Sequence, residues 1–112
     1  MQVSVHQDGT VIGTAILEHL DPPMGVAYGP FSPLDQYDRD QHANTVEGNY
    51  VDDRGRSLSL HADQHGRLNA SIAIEDWADP ALGKHLTVWF QDGRDFAVLF
   101  STHSDYQAYY GR

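Results

Sequence analysis

Alternation of apolar and polar positions dominates this chain. Val3 and Val5 alternate with polar neighbours, Gln7-Asp8-Gly9-Thr10 interrupts them, and an apolar stretch runs from Val11 to Leu20. This is the signature of a β-hairpin, because Asp-Gly supplies the positive φ angles that match the twist of the flanking strands. Further on, Leu58, Leu60 and Ala62 share one face of a predicted strand, with Ser57, Ser59, His61 and Asp63 on the other. The turn Gln64-His65-Gly66-Arg67 leads into Leu68, Ala70, Ile72 and Ile74, so a second hairpin is expected. Another strand is predicted over His85 to Gln91 with Leu86, Val88 and Phe90 inward, after which Asp92-Gly93-Arg94-Asp95 reverses the chain. Phe96-Ala97-Val98-Leu99-Phe100 is read as a buried strand in preference to a helix, although Phe96, Leu99 and Phe100 also fit one helical side.

The remaining segments are punctuated differently. Asp21 to Phe31 holds three prolines, two glycines and the apolar side chains Met24, Val26, Tyr28 and Phe31 without a clear period. A shaped loop that packs down on the domain is expected, because proline pins φ and these side chains are too apolar for a loose connector. Ser32-Pro33 is suited to start a short helix through about His42, with Leu34 and Tyr37 as its buried side. Residues 44–56 read as a connecting loop with one short strand around Tyr50 and Val51. Ser104 to Gly111 reads as a capped helical turn that folds its tyrosines back onto the sheet. The fold class is therefore α+β, a small antiparallel β-sheet domain built from hairpins with one or two short helices, and residues 1–112 form a single globular domain.

Charge adds the second constraint. Sixteen Asp and Glu stand against seven Lys and Arg, Lys84 being the only lysine, for a formal net charge of −9. Nucleic-acid and anionic-membrane binding are disfavoured, since both need clustered basic side chains, and a basic partner is favoured. The acidic residues fall in small groups: Asp35, Asp38 and Asp40; Asp52 and Asp53; Asp76 and Asp79; Asp92 and Asp95. No apolar run approaches the roughly 18 residues of a membrane span, and the first residues show neither a basic nor an apolar signal region, so a cytoplasmic location is expected. With no cysteine, disulfides and thiolate chemistry are excluded.

Catalytic signatures are not found. There is no Gly-x-Ser-x-Gly elbow, no Ser-x-x-Lys pair and no phosphate-binding glycine loop. His61, Asp63 and His65 lie near one turn, but strand-turn geometry does not converge them as a tetrahedral set, and the histidines read as solvated. Asp38-Arg39-Asp40-Gln41-His42 reads as a charged helix surface, because neighbours one and two apart do not face each other. Paired carboxylates such as Glu75 and Asp76 point apart on an extended chain. Trp77 falls at a strand exit, while Trp89 falls opposite Leu86, Val88 and Phe90, where it would be either helix-covered or an interface anchor. No catalytic residue, metal ligand or cofactor is assigned.

Asp21-Pro22-Pro23-Met24-Gly25-Val26-Ala27, with Gly29 and Phe31 after it and Ile12-Gly13 and Leu17 before it, resembles a group of short bacterial proteins of no assigned activity that carry an Asp-Pro-Pro-Met-Gly segment. The resemblance covers about the first third of the chain, with weaker similarity around Ile74-Glu75-Asp76. It implies a defined structural role for residues 21–31 and no catalytic residues. The function expected first is a non-catalytic acidic protein-protein interaction domain of inhibitor or immunity type. Its candidate binding residues are Met24, Tyr28, Phe31, Asp35, Asp38, Asp40 and Trp89. The alternatives are a small-molecule-binding or hydrolase-like domain, with a pocket lined by Tyr28, Phe31, His61 and Trp77, and a structural subunit of a homo-oligomer.

Overall fold

Asp8 and Gly9 both adopt positive φ, 51° and 83°, and close the hairpin that begins the chain. They join β1 (Gln2–Gln7) to β2 (Thr10–Ile16), which pair antiparallel with Val3 opposite Ala15 and Val5 opposite Gly13. The computed structural model describes residues 1–63 and 65–111, and every described side chain except that of residue 56. After β2 come β3 (His19–Asp21), a 3₁₀ turn at Pro22–Met24, and β4 (Val26–Pro33). α1 (Arg39–His42), β5 (Thr45–Val46), β6 (Asn49–Tyr50) and a 3₁₀ turn at Arg54–Ser57 follow. The second half supplies β7 (Ser59–Ala62), β8 (Gly66–Leu68), β9 (Ala70–Asp76), β10 (Lys84–Phe90), α2 (Gly93–Phe100) and α3 (Ser104–Tyr110).

Among the described residues the strands hydrogen-bond in the order β6-β5-β9-β10-β4-β2-β1-β7-β8, with β3 beside β4. All pairs are antiparallel except β5 with β9. This is a small α+β domain. β4 is the hinge of the arrangement. Its first half pairs with β3 and β10, and its second half pairs with β2 through Ala15–Phe31 and Gly13–Pro33. The inward positions of β1, β7, β9 and β10 are Val3, Val5, Leu60, Ala62, Ile72, Ile74, Leu86 and Val88, and they form one core with Leu17, Phe31, Phe96 and Phe100.

Three expectations are corrected. Phe96 to Phe100 is helical: Asp92 caps α2 by accepting from the Arg94 N–H at 2.8 Å, and Phe96 and Phe100, four apart, pack their rings on Phe90. Ser32 and Pro33 continue β4 and do not open a helix, so Leu34 is exposed and α1 is confined to Arg39–His42 with Asp38 as its cap. The proline-rich segment is a single 3₁₀ turn that feeds a central strand, and Met24 projects outward at 67% exposure.

The expected hairpin of the second half is also shorter. β8 ends at Leu68, and after Asn69 the chain leaves β7 and runs as β9 beside β10. Gln64 of the intervening turn lies outside the described residues. The C-terminal tyrosines divide: Tyr106 packs against the core, whereas Tyr109 and Tyr110 are exposed. α3 guards the free edge of β3, where the Leu20 N–H donates to Asp105 Oδ2 at 3.0 Å and His103 Nε2 donates to the Glu18 carbonyl at 2.9 Å.

Candidate functional site

The inward alternation of β9 does not stop at Ile74. It carries Asp76 to the buried face at 1% exposure, and Lys84 lies directly across from it at the start of β10. A carboxylate in that position needs partners, because an uncompensated buried charge is strongly unfavourable. It has three. Tyr37 Oη donates to Oδ2 at 2.5 Å, Arg39 approaches Oδ1 at 3.2 Å and Lys84 Nζ approaches the same oxygen at 3.4 Å. Arg39 reaches this point because Asp38 caps α1 and sets the direction of its first turn.

Arg39 also binds Glu47 at 2.9 Å, and Glu47 accepts the Ala78 N–H at 2.6 Å. These two bonds hold the Glu47 carboxyl below its ordinary range, and the bond to Glu47, with the Asp76 charge behind it, raises the Arg39 pKa further. Burial, followed by the hydrogen bond to Asp76, pushes the Tyr37 hydroxyl far up, so it remains a donor at every physiological pH. The charged groups of the cluster are thus paired with one another, while the buried Arg39 Nε has no hydrogen-bond partner among the described residues.

Above the cluster opens a cleft of about 690 Å³, lined by residues 35–39, Gln41, Asp76, Ala78 and Lys84. Its cations point at Asp76 and Glu47. Asp35 and Asp38 stand at its wall, and among the described residues the Asp35 carboxylate pairs with no cation. The cleft thus presents carboxylate and amide acceptors to whatever enters it.

The candidate residues named from sequence fall in several places. Asp35 and Asp38 line this cleft, while Asp40 is exposed on α1 and is not part of the lining. Phe31 is buried beneath the cleft with its ring edge-on to Tyr37, 5.4 Å between centroids. Trp89 and Tyr28 lie on the outer sheet face, in rows with Val26 and Thr87, and Tyr28 stacks on His19. Both are exposed, Trp89 at 41%, so no helix covers the tryptophan. Met24 borders a separate pocket under α3. Tyr28, Phe31, His61 and Trp77 share no described pocket: His61 stacks on His6 at 3.9 Å, and Trp77 donates to Glu75 at 2.8 Å. Tyr37, Arg39, Asp76 and Lys84 are not among the binding residues expected from the sequence, where Tyr37 reads as the buried side of a helix, Arg39 as part of a charged helix surface and Asp76 as one of two carboxylates pointing apart. The continuing inward alternation at Asp76 was the signal that could have found them.

His42 braces the other side of α1. Its Nδ1 accepts the Asp38 N–H at 2.9 Å, so the ring proton sits on Nε2 and donates to Gln7 Oε1 at 2.8 Å. Burial lowers the His42 pKa, and burial together with the nearby His61 lowers that of His6. Both folded-state values lie below the unfolded value of about 6.5, so the unfolded chain takes up protons first as pH falls. Their contribution to stability is complete above about pH 6.5 and is lost as pH drops through the folded values. Thermal melts at pH 7.5, 6.5 and 5.5 should show a falling midpoint only below the middle value. In His42→Gln that fall should be smaller, and an equal fall in both proteins would contradict the assignment.

Comparison with protein-family models, with curated proteins and with solved structures finds no match to this chain.

Proposed function

We propose that this domain is a non-catalytic, cytoplasmic interaction module that docks a basic protein partner, with an Arg or Lys side chain of the partner entering the cleft beside Asp35 and Asp38. The observation that supports this most is the inward commitment of the cleft's own cations. Arg39 and Lys84 are spent on Asp76 and Glu47, so that among the described residues the wall carboxylates pair with no cation, on a chain of net charge −9. Such a surface accelerates encounter with a basic partner and orients it, as an inhibitor or immunity-type protein does when it occupies a basic site. The guanidinium fork matches paired carboxylate and amide acceptors better than a point charge does, so arginine is the preferred entrant.

The test is titration with an octa-arginine peptide, compared between the native chain and the double variant Asp35→Asn, Asp38→Asn. Asparagine keeps the cap oxygen on α1 and removes only charge. The double variant should bind about tenfold more weakly, and the difference should shrink as added salt screens the site. Equal affinity of the two proteins at low salt would overturn the reading.

A further inference from the structure

A second cavity, of about 310 Å³, lies between the Pro22–Met24 turn, the end of β10 and the helices α2 and α3. Its size falls at the lower end of small-molecule sites, about 300–1,000 Å³. Four of its lining side chains are aromatic: Phe90, Phe96, Tyr106 and Tyr110. Their planes turn steeply from one ring to the next, by 69° from Phe90 to Phe96, 39° from Phe96 to Tyr106 and 48° from Tyr106 to Tyr110. Successive ring centroids lie 5.7, 6.0 and 4.8 Å apart, so the rings line the cavity as a turning row in mutual contact instead of one flat stack. Tyr110 Oη donates to the Pro22 carbonyl at 3.4 Å and holds the end of α3 over the turn.

The charge of the segments around this hollow is negative on balance. Among the described residues its lining carries no charge of either sign, and the segments that flank it, 21–25, 90–96 and 105–110, carry Asp21, Asp92, Asp95 and Asp105 against Arg94. Aromatic faces attract cations through their quadrupole, and most strongly where the cation sheds water easily, as a methylated ammonium does. We infer that this cavity is a binding site for a methylated ammonium group, carried either by a small choline-like molecule or by a methylated lysine side chain. The site is separate from the Asp35–Asp38 cleft and stands or falls without it.

The test is an NMR titration with choline, with its neutral carbon isostere 3,3-dimethylbutan-1-ol and with a short trimethyllysine peptide, all at fixed ionic strength. Choline methyl protons should shift upfield, the ring resonances of Tyr106 and Tyr110 should respond, and the neutral isostere should bind about tenfold more weakly or worse. Tyr110→Ala, at an exposed position of the last turn of α3, should lose about tenfold in affinity, while Tyr110→Phe should keep it. Tighter binding of the peptide would assign the group to a modified protein, and tighter binding of choline to a small molecule. Equal binding of choline and the isostere, or binding of neither cation, would overturn the assignment, and so would full retention by the folded Tyr110→Ala variant.

Discussion

Asp76→Ala is expected to destabilise the fold by about 3 kcal/mol, read as a fall of roughly 10 °C or more in the melting midpoint. The substitution removes the common partner of Tyr37, Arg39 and Lys84 and leaves a buried hydroxyl and two cations facing a void. The loss stays below the upper range for a buried ion pair because the cations are not sealed in. The Arg39 and Lys84 side chains keep 35% and 26% exposure and can turn to water. The same change should loosen the cleft, since Arg39 then keeps only Glu47 and the backbone carbonyl of residue 76. Asp76→Asn retains an acceptor of the same shape and should cost less. Denaturant unfolding of both variants checks the order, and an Asp76→Ala protein within 1 kcal/mol of the native chain would show that the cluster is not a structural anchor.

Gly29→Ala should be at least as severe, costing about 3 kcal/mol or abolishing folding. A Cβ at this position would lie 1.8 Å from the Ile16 carbonyl oxygen and 2.9 Å from its carbon. Both are backbone atoms at the end of β2, so no flexible side chain can give way. The approach is forced by the topology: Gly29 sits where β4 stops pairing with β3 and turns to pair with β2. Gly93→Ala is the matched control. Nothing lies within 4 Å of its Cβ, and it opens α2, so that change should be neutral or slightly stabilising. If both alanine variants melted alike, the close crossing of β2 and β4 would be refuted.

Much of the sheet was legible because its signals are local. Asp8-Gly9 closes a hairpin wherever alternating flanks meet it, and the alternation read at 58–62, 68–74 and 85–91 puts the buried residues where the core needs them. The errors arose where two local patterns compete. Phe96 and Phe100 fit either period, but a strand would also bury Val98, which is 64% exposed; the Asp92 cap decides for the helix. Ser32-Pro33 is a good helix start that tertiary pairing with Gly13 and Thr14 overrides. The cleft was out of reach for a different reason. It is assembled by contacts between residues about forty positions apart, Tyr37 and Arg39 with Asp76, and a buried aspartate is read as a surface charge until its cations are placed around it.

Fold and proposed role then connect through one device. The parallel pairing of β5 with β9 and the capped turn of α1 bring Glu47 and Arg39 to the end of β9. There the cations are absorbed by Asp76 and Glu47, and the outer wall keeps its negative charge. The most direct measurement is a residue-by-residue map of amide shifts during the octa-arginine titration at low salt. The account predicts perturbations concentrated at residues 34–41, Ala78 and Lys84, erased by added salt and absent with octa-glutamate. Shifts spread evenly over the acidic surface, or centred on Asp52 and Asp53 or on Asp92 and Asp95, would contradict it.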